Sequence, residues 1–310
     1  MKKLIALLMA VVMVFGLAAC GGGNTETTAP ADPSATTPDS SADATAAAVT
    51  HSENKLILGN ATELTGDFTG GVVGNGATDM IVEDLVNDYG TMVTDRDGVY
   101  VNNPTVLKEW VRTDNEDGSA TYTITINEGL KYNNGEEITA ADYVFKSLLP
   151  CTPAATGLNF RTATQDQVVG AKAAYNGEVP NVTGIRLLDT YTFSLTIVPE
   201  YAQYYYADTY AACEPWNAKF WLGEGYGVAD DGEGAYITKD GQPVVLKAAD
   251  VEENFKAAMS AANGFVSAGP YQITKWDPAT SQCTLDINPN YAGNFEGQKP
   301  SIQTLVVLRA

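Results

Sequence analysis

The sequence predicts an α/β fold, and three stretches carry that prediction. Residues 121–126 alternate strictly, with Tyr122, Ile124 and Ile126 on one side and threonines on the other, as a half-buried strand does. Residues 139–149 open as Thr-Ala-Ala-Asp and continue through Tyr143, Val144, Leu148 and Leu149, a capped helix with one apolar face. Residues 181–198 hold two more strand-like runs, joined through Asp189-Thr190. Strand and helix signals interleave along the chain and no internal repeat is visible, which is the α/β pattern.

The first element is not part of that fold. Lys2 and Lys3 precede an apolar run of sixteen residues, Leu4 to Ala19. A bilayer span needs about 20 apolar residues, so a basic start with a short apolar core reads as a signal peptide, residues 1–19. Residues 20–52 are Gly, Thr, Ala, Pro, Ser and Asp with almost nothing large and apolar. Such a segment cannot bury enough surface to offset its ordering entropy, so a flexible tether is expected. It carries His51, the single histidine of the chain. Globular composition begins near Glu53, leaving roughly 258 of the 310 residues, enough for one large or two modest domains.

Within that part, residues 55–60 read as a short buried strand, followed by a Gly- and Thr-rich loop to Gly76. Thr78-Asp79 is expected to cap a helix to Tyr89 with Ile81, Val82, Leu85 and Val86 on one face, stopped by Gly90. Asp97-Gly98 and Asp117-Gly118 mark turns, and Asn133-Asn134-Gly135 supplies the positive-φ residues of a tight one. Pro150 closes the helix that starts at Thr139. Residues 201–210 form a Tyr-rich helix candidate whose aromatics are expected to pack, and a Gly- and Asp-rich run fills 223–242. Val251, Phe255, Ala258 and Met259 recur at helical spacing after Asp250, predicting a helix to Ala262. Three final strands lie in 269–277, 282–291 and 302–310.

Composition narrows the function. The formal net charge is −20, which opposes nucleic acid or an anionic membrane surface as partner. With one histidine, in the tether, no Ser-His-Asp or Cys-His arrangement is available to the folded part. The paired carboxylates Glu136-Glu137 and Asp230-Asp231 sit in Gly-rich turns, where solvated surface is the expectation. The acidic run 229–234 lacks the alternating oxygen ligands of a calcium loop. No enzyme activity, cofactor or metal is expected. Cysteines stand at 20, 151, 213 and 283, without a CxxC pair; one disulfide among Cys151, Cys213 and Cys283 is possible, and three pairings stay open.

Two resemblances sharpen this reading. Leu17-Ala18-Ala19-Cys20-Gly21 resembles the lipobox of bacterial lipoproteins, which implies cleavage before Cys20 and lipidation of its thiol. Gly129, Tyr132, Gly135, Ile138, Thr139, Ala140, Asp142, Val144 and Phe145 follow the pattern of the family 5 extracellular solute-binding proteins, the peptide and oligopeptide receptors of ABC importers. That family's G-x-G-P-Y is similar to Ser267-Ala268-Gly269-Pro270-Tyr271, with Ser for the first Gly. Its R-N-x-x-Y is similar to Ile287-Asn288-Pro289-Asn290-Tyr291, without the Arg.

The resemblance covers residues 55–310 and implies a periplasmic-binding-protein type II-like fold of two lobes with an extra inserted domain. Residues 53–70 and 181–310 are expected in the first lobe and 71–180 in the insertion. The second lobe is expected beyond Ala310, so that this chain alone should bind ligand weakly. It also implies an ABC permease and ATPase as partners, a peptide or other small solute as ligand, and a lipid-anchored, extracytoplasmic location. By similarity, the ligand contacts on this side fall in the loop after the first strand, at Thr62, Glu63, Leu64, Thr65 and Phe68. Tyr210 and Trp216 are further candidates for which aromatic core is the competing explanation. A surface lipoprotein of the same fold used for sensing or adhesion, or a receptor for an oligosaccharide, is the alternative.

Overall fold

The computed structural model of the chain describes residues 54–161, 163–260 and 264–310. Cys20, His51 and the expected signal and tether segments lie outside them. In chain order the first half contains β1 (Lys55–Asn60), α1 (Ala77–Val86), β2 (Met92–Thr94), β3 (Tyr100–Asn102), β4 (Leu107–Asp114), β5 (Ala120–Ile126) and α2 (Ala140–Leu148). Next come β6 (Asn181–Val182), β7 (Ile185–Leu187), β8 (Thr192–Ile197), β9 (Tyr226–Asp230), β10 (Ala235–Lys239) and β11 (Gln242–Pro243). The described chain closes with α3 (Ala248–Met259), β12 (Tyr271–Asp277), β13 (Gln282–Ile287) and β14 (Thr304–Arg309). Single helical turns occupy several connections.

The α/β expectation holds. One sheet has the order β1-β14-β13-β12, with β1 parallel to β14 and the other pairs antiparallel. A second, wholly antiparallel sheet has the order β4-β5-β8-β7. In a third, β10 pairs with β6, β9 and β11, and β2 with β3 makes a separate hairpin. Because β5 pairs with β8, strands on either side of residue 180 share one sheet.

Local chemistry explains the best-predicted elements. In β5 the side chains alternate buried and half-buried, so Ala120, Tyr122, Ile124 and Ile126 all reach the core. Helix α2 starts as expected. The Asp142 carboxylate accepts both the Thr139 backbone N–H at 2.8 Å and the Thr139 hydroxyl at 3.1 Å, which ties the residue before the helix to its first turn. The Tyr132 hydroxyl donates to the other Asp142 oxygen at 3.0 Å. Burial outweighs these bonds and pushes the Asp142 carboxyl up to about 6.

Several expectations are corrected. Strand β1 is not buried: Leu56 and Ile57 expose 41% and 59% of their surface, because among the described residues its only pairing is with β14 at the sheet edge. Helix α1 begins at Ala77 after Gly76 and ends at Val86, so Thr78 and Asp79 lie inside its first turn. Tyr89 falls beyond it at φ 61°. The Tyr-rich segment is no continuous helix. It breaks into the turns Pro199–Ala202 and Ala207–Tyr210, and the tyrosines between them face solvent, contrary to the packing expectation. The Gly- and Asp-rich run folds as the β9–β10 hairpin. There the Asp230 carboxylate takes the Arg186 guanidinium at 2.8 and 2.9 Å, and Asp231 takes the turn amides of Glu233 and Gly234. Cys151, Cys213 and Cys283 are all free thiols.

The three family-like motifs meet at one buried junction. Gly269 donates to the Val86 carbonyl at 2.7 Å, and a Cβ on it would lie 2.4 Å from the Val86 carbonyl carbon. Only glycine permits that approach. Asn288 caps the Gly269 carbonyl through its amide at 2.9 Å. Asn133, from the tight turn before α2, exchanges bonds with Ser267 and donates to the Phe265 carbonyl at 2.8 Å. Asn290 returns the connection by donating to the carbonyls of Tyr132 and Asn133. Tyr291 stacks on Tyr89 at 5.5 Å and its hydroxyl donates to Asp88. The motifs are thus scaffold, pinning α1 and the turn before α2 to the end of the β12–β13 hairpin.

Candidate ligand-binding site

The loop leaving β1 brings five predicted residues together, in two roles. Leu64 and Phe68 turn inward at 4% and 0% exposure. The Phe68 ring meets Trp276 and Phe265 edge to face, at 5.7 and 6.2 Å. Their side chains are core, so at these two positions only backbone groups are left to face outward. Thr62, Glu63 and Thr65 remain on the outside. Glu63 pairs with Arg309 at the end of β14.

The loop is fastened from behind by α1. Asp79, 1% exposed, accepts the backbone N–H groups of Thr65 and Gly66 at 2.8 and 2.9 Å and the Thr65 hydroxyl at 3.0 Å. Thr78 donates its hydroxyl to the Thr62 carbonyl at 2.9 Å, and the two threonine hydroxyls lie 2.6 Å apart. Gly66 adopts φ 85° and its backbone lies on the Trp276 indole, where a Cβ would come within 2.9 Å. Hydrogen bonds to a carboxylate are the stronger kind, with a net contribution of about 1.5–3 kcal/mol, so α1 holds the loop in one shape. Sequence reasoning gave Asp79 to the helix cap and missed this role; nothing in the local spacing links it to a loop thirteen residues earlier. At the loop's base the buried Asn60 side-chain amide has no hydrogen-bond partner in the structure, leaving a donor to spare.

Tyr210 and Trp216 are not with this loop. Trp216 is 3% exposed, stacked on Trp221 at 4.2 Å, with the Lys146 ammonium 3.5 Å from its ring centre. It is aromatic core, the competing explanation. Tyr210 is half-buried and lines a cavity of about 310 Å³ with Met92, Lys146, Cys213 and Glu214. Lys146 pairs with Glu214 at 2.9 Å in the lining of that cavity. Behind it, the Glu83 carboxyl is pushed up to about 8, by burial first and by the Glu214 charge second. Burial also raises the Cys213 thiol, to about 12, far from the range of a reactive thiolate. Among the described residues no three of His, Cys, Asp and Glu gather as a metal-holding group, and no helix is long and apolar enough to cross a membrane.

Comparison with known proteins places this geometry. No curated protein matches the sequence. Among solved structures, the OppA of Listeria monocytogenes bound to peptide superposes with a TM-score of 0.58 at 18% identity, over 84% of this chain and 43% of its own. The OppA of Burkholderia pseudomallei gives 0.54 at 19% identity, over 84% and 42%. Lactococcal OppA, complexed with an endogenous peptide in the closed conformation, gives 0.54 at 18%, over 83% and 41%. This chain therefore spans less than half the length of those proteins, and at such identities they show the fold, a periplasmic-binding-protein type II-like one. Residues 103–308 match the family model described as the middle region of bacterial extracellular solute-binding proteins, family 5. That match covers most of the described residues and includes Asn133, Gly269 and Asn288 of the junction, and on it the chain belongs to the family 5 bacterial extracellular solute-binding proteins.

Proposed function

We propose that the chain is a receptor for peptides, held to a membrane through a lipid on Cys20 and passing its ligand to an ABC permease without catalysis. The observation that carries the ligand reading is the 62–66 loop, fixed from behind by Asp79 and presenting Thr62, Glu63 and Thr65 outward. A preorganised loop lowers the ordering cost of binding. An extended peptide supplies alternating backbone donors and acceptors that such a loop can pair with. Two of the solved relatives above hold peptides in their structures. In this reading the β1-β14-β13-β12 sheet belongs to the first lobe and the β4-β5-β8-β7 sheet to the inserted unit. The division then lies beyond β8 rather than at residue 180, and capture proceeds by closure of a second lobe.

Calorimetry against pooled short peptides and pooled oligosaccharides tests the ligand class. In a protein that carries the second lobe as well, heat is expected from peptides and is expected to shrink in Asp79→Ala; heat from oligosaccharides alone would overturn the peptide assignment. The anchor follows from the lipobox: two or more acyl chains, at about 0.8 kcal/mol per buried methylene, hold a protein stably on a bilayer. Cys20→Ser is expected to move the protein from the membrane to the soluble fraction, and unchanged fractionation would sink the anchor.

A further inference from the structure

The outermost aromatic surface of the described chain is not at the ligand loop. Tyr204, Tyr205 and Tyr206 expose 53%, 92% and 60% of their surface, and Val99 and Tyr100 on the neighbouring hairpin expose 55% and 52%. The rings touch one another. Tyr205 meets Tyr206 at 4.8 Å and 83°, Tyr206 meets Tyr100 at 6.0 Å and 74°, and Tyr204 meets Tyr201 at 5.8 Å and 88°. In an edge-to-face pair one ring offers its rim, so electron-rich faces stay uncovered. A contiguous exposed patch of this kind marks an interaction surface, and tyrosine is among the residues that dominate such surfaces.

The charges around the patch select its occupant. Glu200 and Asp208 flank the tyrosines, and Asp97 lies in the turn before Tyr100. The β4–β5 turn carries Asp114, Glu116 and Asp117 and lies against the start of the Tyr-rich segment, where a Cβ on Gly118 would be 3.5 Å from the Pro199 Cβ. The arginines of these segments are already paired, Arg96 with Glu296 at 2.7 Å and Arg112 with Asp114 at 2.9 Å and Asp208 at 3.4 Å, which leaves Asp97, Glu116, Asp117 and Glu200 as the carboxylates of the rim with no cationic partner among the described residues. Uncovered aromatic faces within a carboxylate rim are the environment that binds ammonium and guanidinium groups. A second copy of this chain, of net charge −20, and an anionic lipid surface both have the wrong sign.

We propose that the Tyr100–Tyr204–Tyr205–Tyr206 patch docks a lysine- or arginine-rich segment of a partner polypeptide, at a surface separate from the 62–66 loop. The rings supply cation–π contacts and the carboxylate rim supplies steering.

Fluorescence anisotropy with labelled hexaarginine, at 50 and 150 mM salt, separates the rings from bulk charge. Tyr205→Ala/Tyr206→Ala leaves the charge unchanged and is expected to weaken binding about 10-fold, at about 3-fold per ring. Tyr205→Phe/Tyr206→Phe keeps the rings and is expected to stay within about twofold of the parent. Glu116→Gln/Glu200→Gln is expected to weaken binding and flatten its salt dependence. All these residues are exposed, so thermal melts of the variants are expected to match the parent. Equal binding by the alanine variant would overturn the proposal, leaving net charge as the cause. A dimer that sediments as such and is lost in the alanine variant would assign the patch to a second copy and equally overturn it. So would binding to zwitterionic phosphatidylcholine vesicles that the alanine variant loses.

Discussion

The Gly269 junction and the Thr65 loop both depend on α1, and they use it in different ways. At the junction, the last turn of the helix meets another backbone directly, with Gly269 against Val86 and asparagine amides filling the surrounding bonds. Backbone groups there find protein partners, while the buried Ser267 hydroxyl is left without one. At the loop, the first turn of the same helix offers one carboxylate, Asp79, to two backbone amides and a hydroxyl. Its outer side is left open. One end of α1 is closed by packing and the other, in the function proposed above, holds a surface ready for ligand, so substitutions at the two ends should separate stability from binding.

Gly269→Ala should give the largest effect. A methyl at 2.4 Å from a backbone carbon cannot be absorbed by a rotamer change, because the obstacle is Val86 itself. We expect a loss of about 3 kcal/mol or more, seen in a thermal melt as a fall in Tm on the order of 10 °C. A Tm within a degree or two of the parent would mean that the junction is loosely packed and the contrast between the two ends is unfounded. Asp79→Ala comes next, at about 2 kcal/mol, because it leaves the Thr65 and Gly66 amides without their acceptor. Hydrogen exchange should speed up at those two amides while the Gly269 amide keeps its protection.

The pH response distinguishes the closed space behind the cavity from both ends. Glu83 rises from an ordinary value of 4.5 to about 8 in the folded chain. A carboxyl raised on folding binds its proton more tightly in the native state, so stability is highest below about pH 4.5 from this group and is lost as pH rises toward 8. Asp88 and Asp142 are raised by burial too and push the same way. Glu83→Gln should therefore flatten the fall in Tm between pH 5 and 9 without removing it. An unchanged slope would show that Glu83 ionises freely.

The two ends of α1 also differed in how far the sequence disclosed them. The junction announced itself through residue types that have few uses. Asn133-Asn134-Gly135 needs positive φ, Thr139 with Asp142 fits a reciprocal cap, and alternation in 120–126 gives β5 its buried side. What the sequence could not reveal was that these motifs meet, since residues 133 and 267 are joined only by tertiary folding. The loop was found by resemblance, but its division into inward Leu64 and Phe68 and outward Thr62, Glu63 and Thr65 has no periodic signal in an irregular segment. Asp79 was visible as an N-terminal helix residue, and its partners were not. The Tyr-rich run misled for the opposite reason. Consecutive aromatics predict packing on average, yet the link between the turns Pro199–Ala202 and Ala207–Tyr210 stays on the surface and carries Tyr204–Tyr206 outward with it.

The smallest structural effect is the sharpest test of the readiness assigned to the loop. Glu63 sits on its outer side, paired with Arg309, and both side chains are more than half exposed. An exposed ion pair contributes about 0–1 kcal/mol, and Glu63→Gln keeps the shape of the side chain, so Tm should move by no more than about 2 °C. Binding should respond differently. If the outer side of the loop meets the ligand, removing its one carboxylate weakens peptides with a free amino group more than those with a blocked one, and the difference shrinks at high salt. Calorimetry with matched free and acetylated peptides measures that difference. Equal loss for both would mean that Glu63 does not read the amino group, and no loss for either would place it outside the contact.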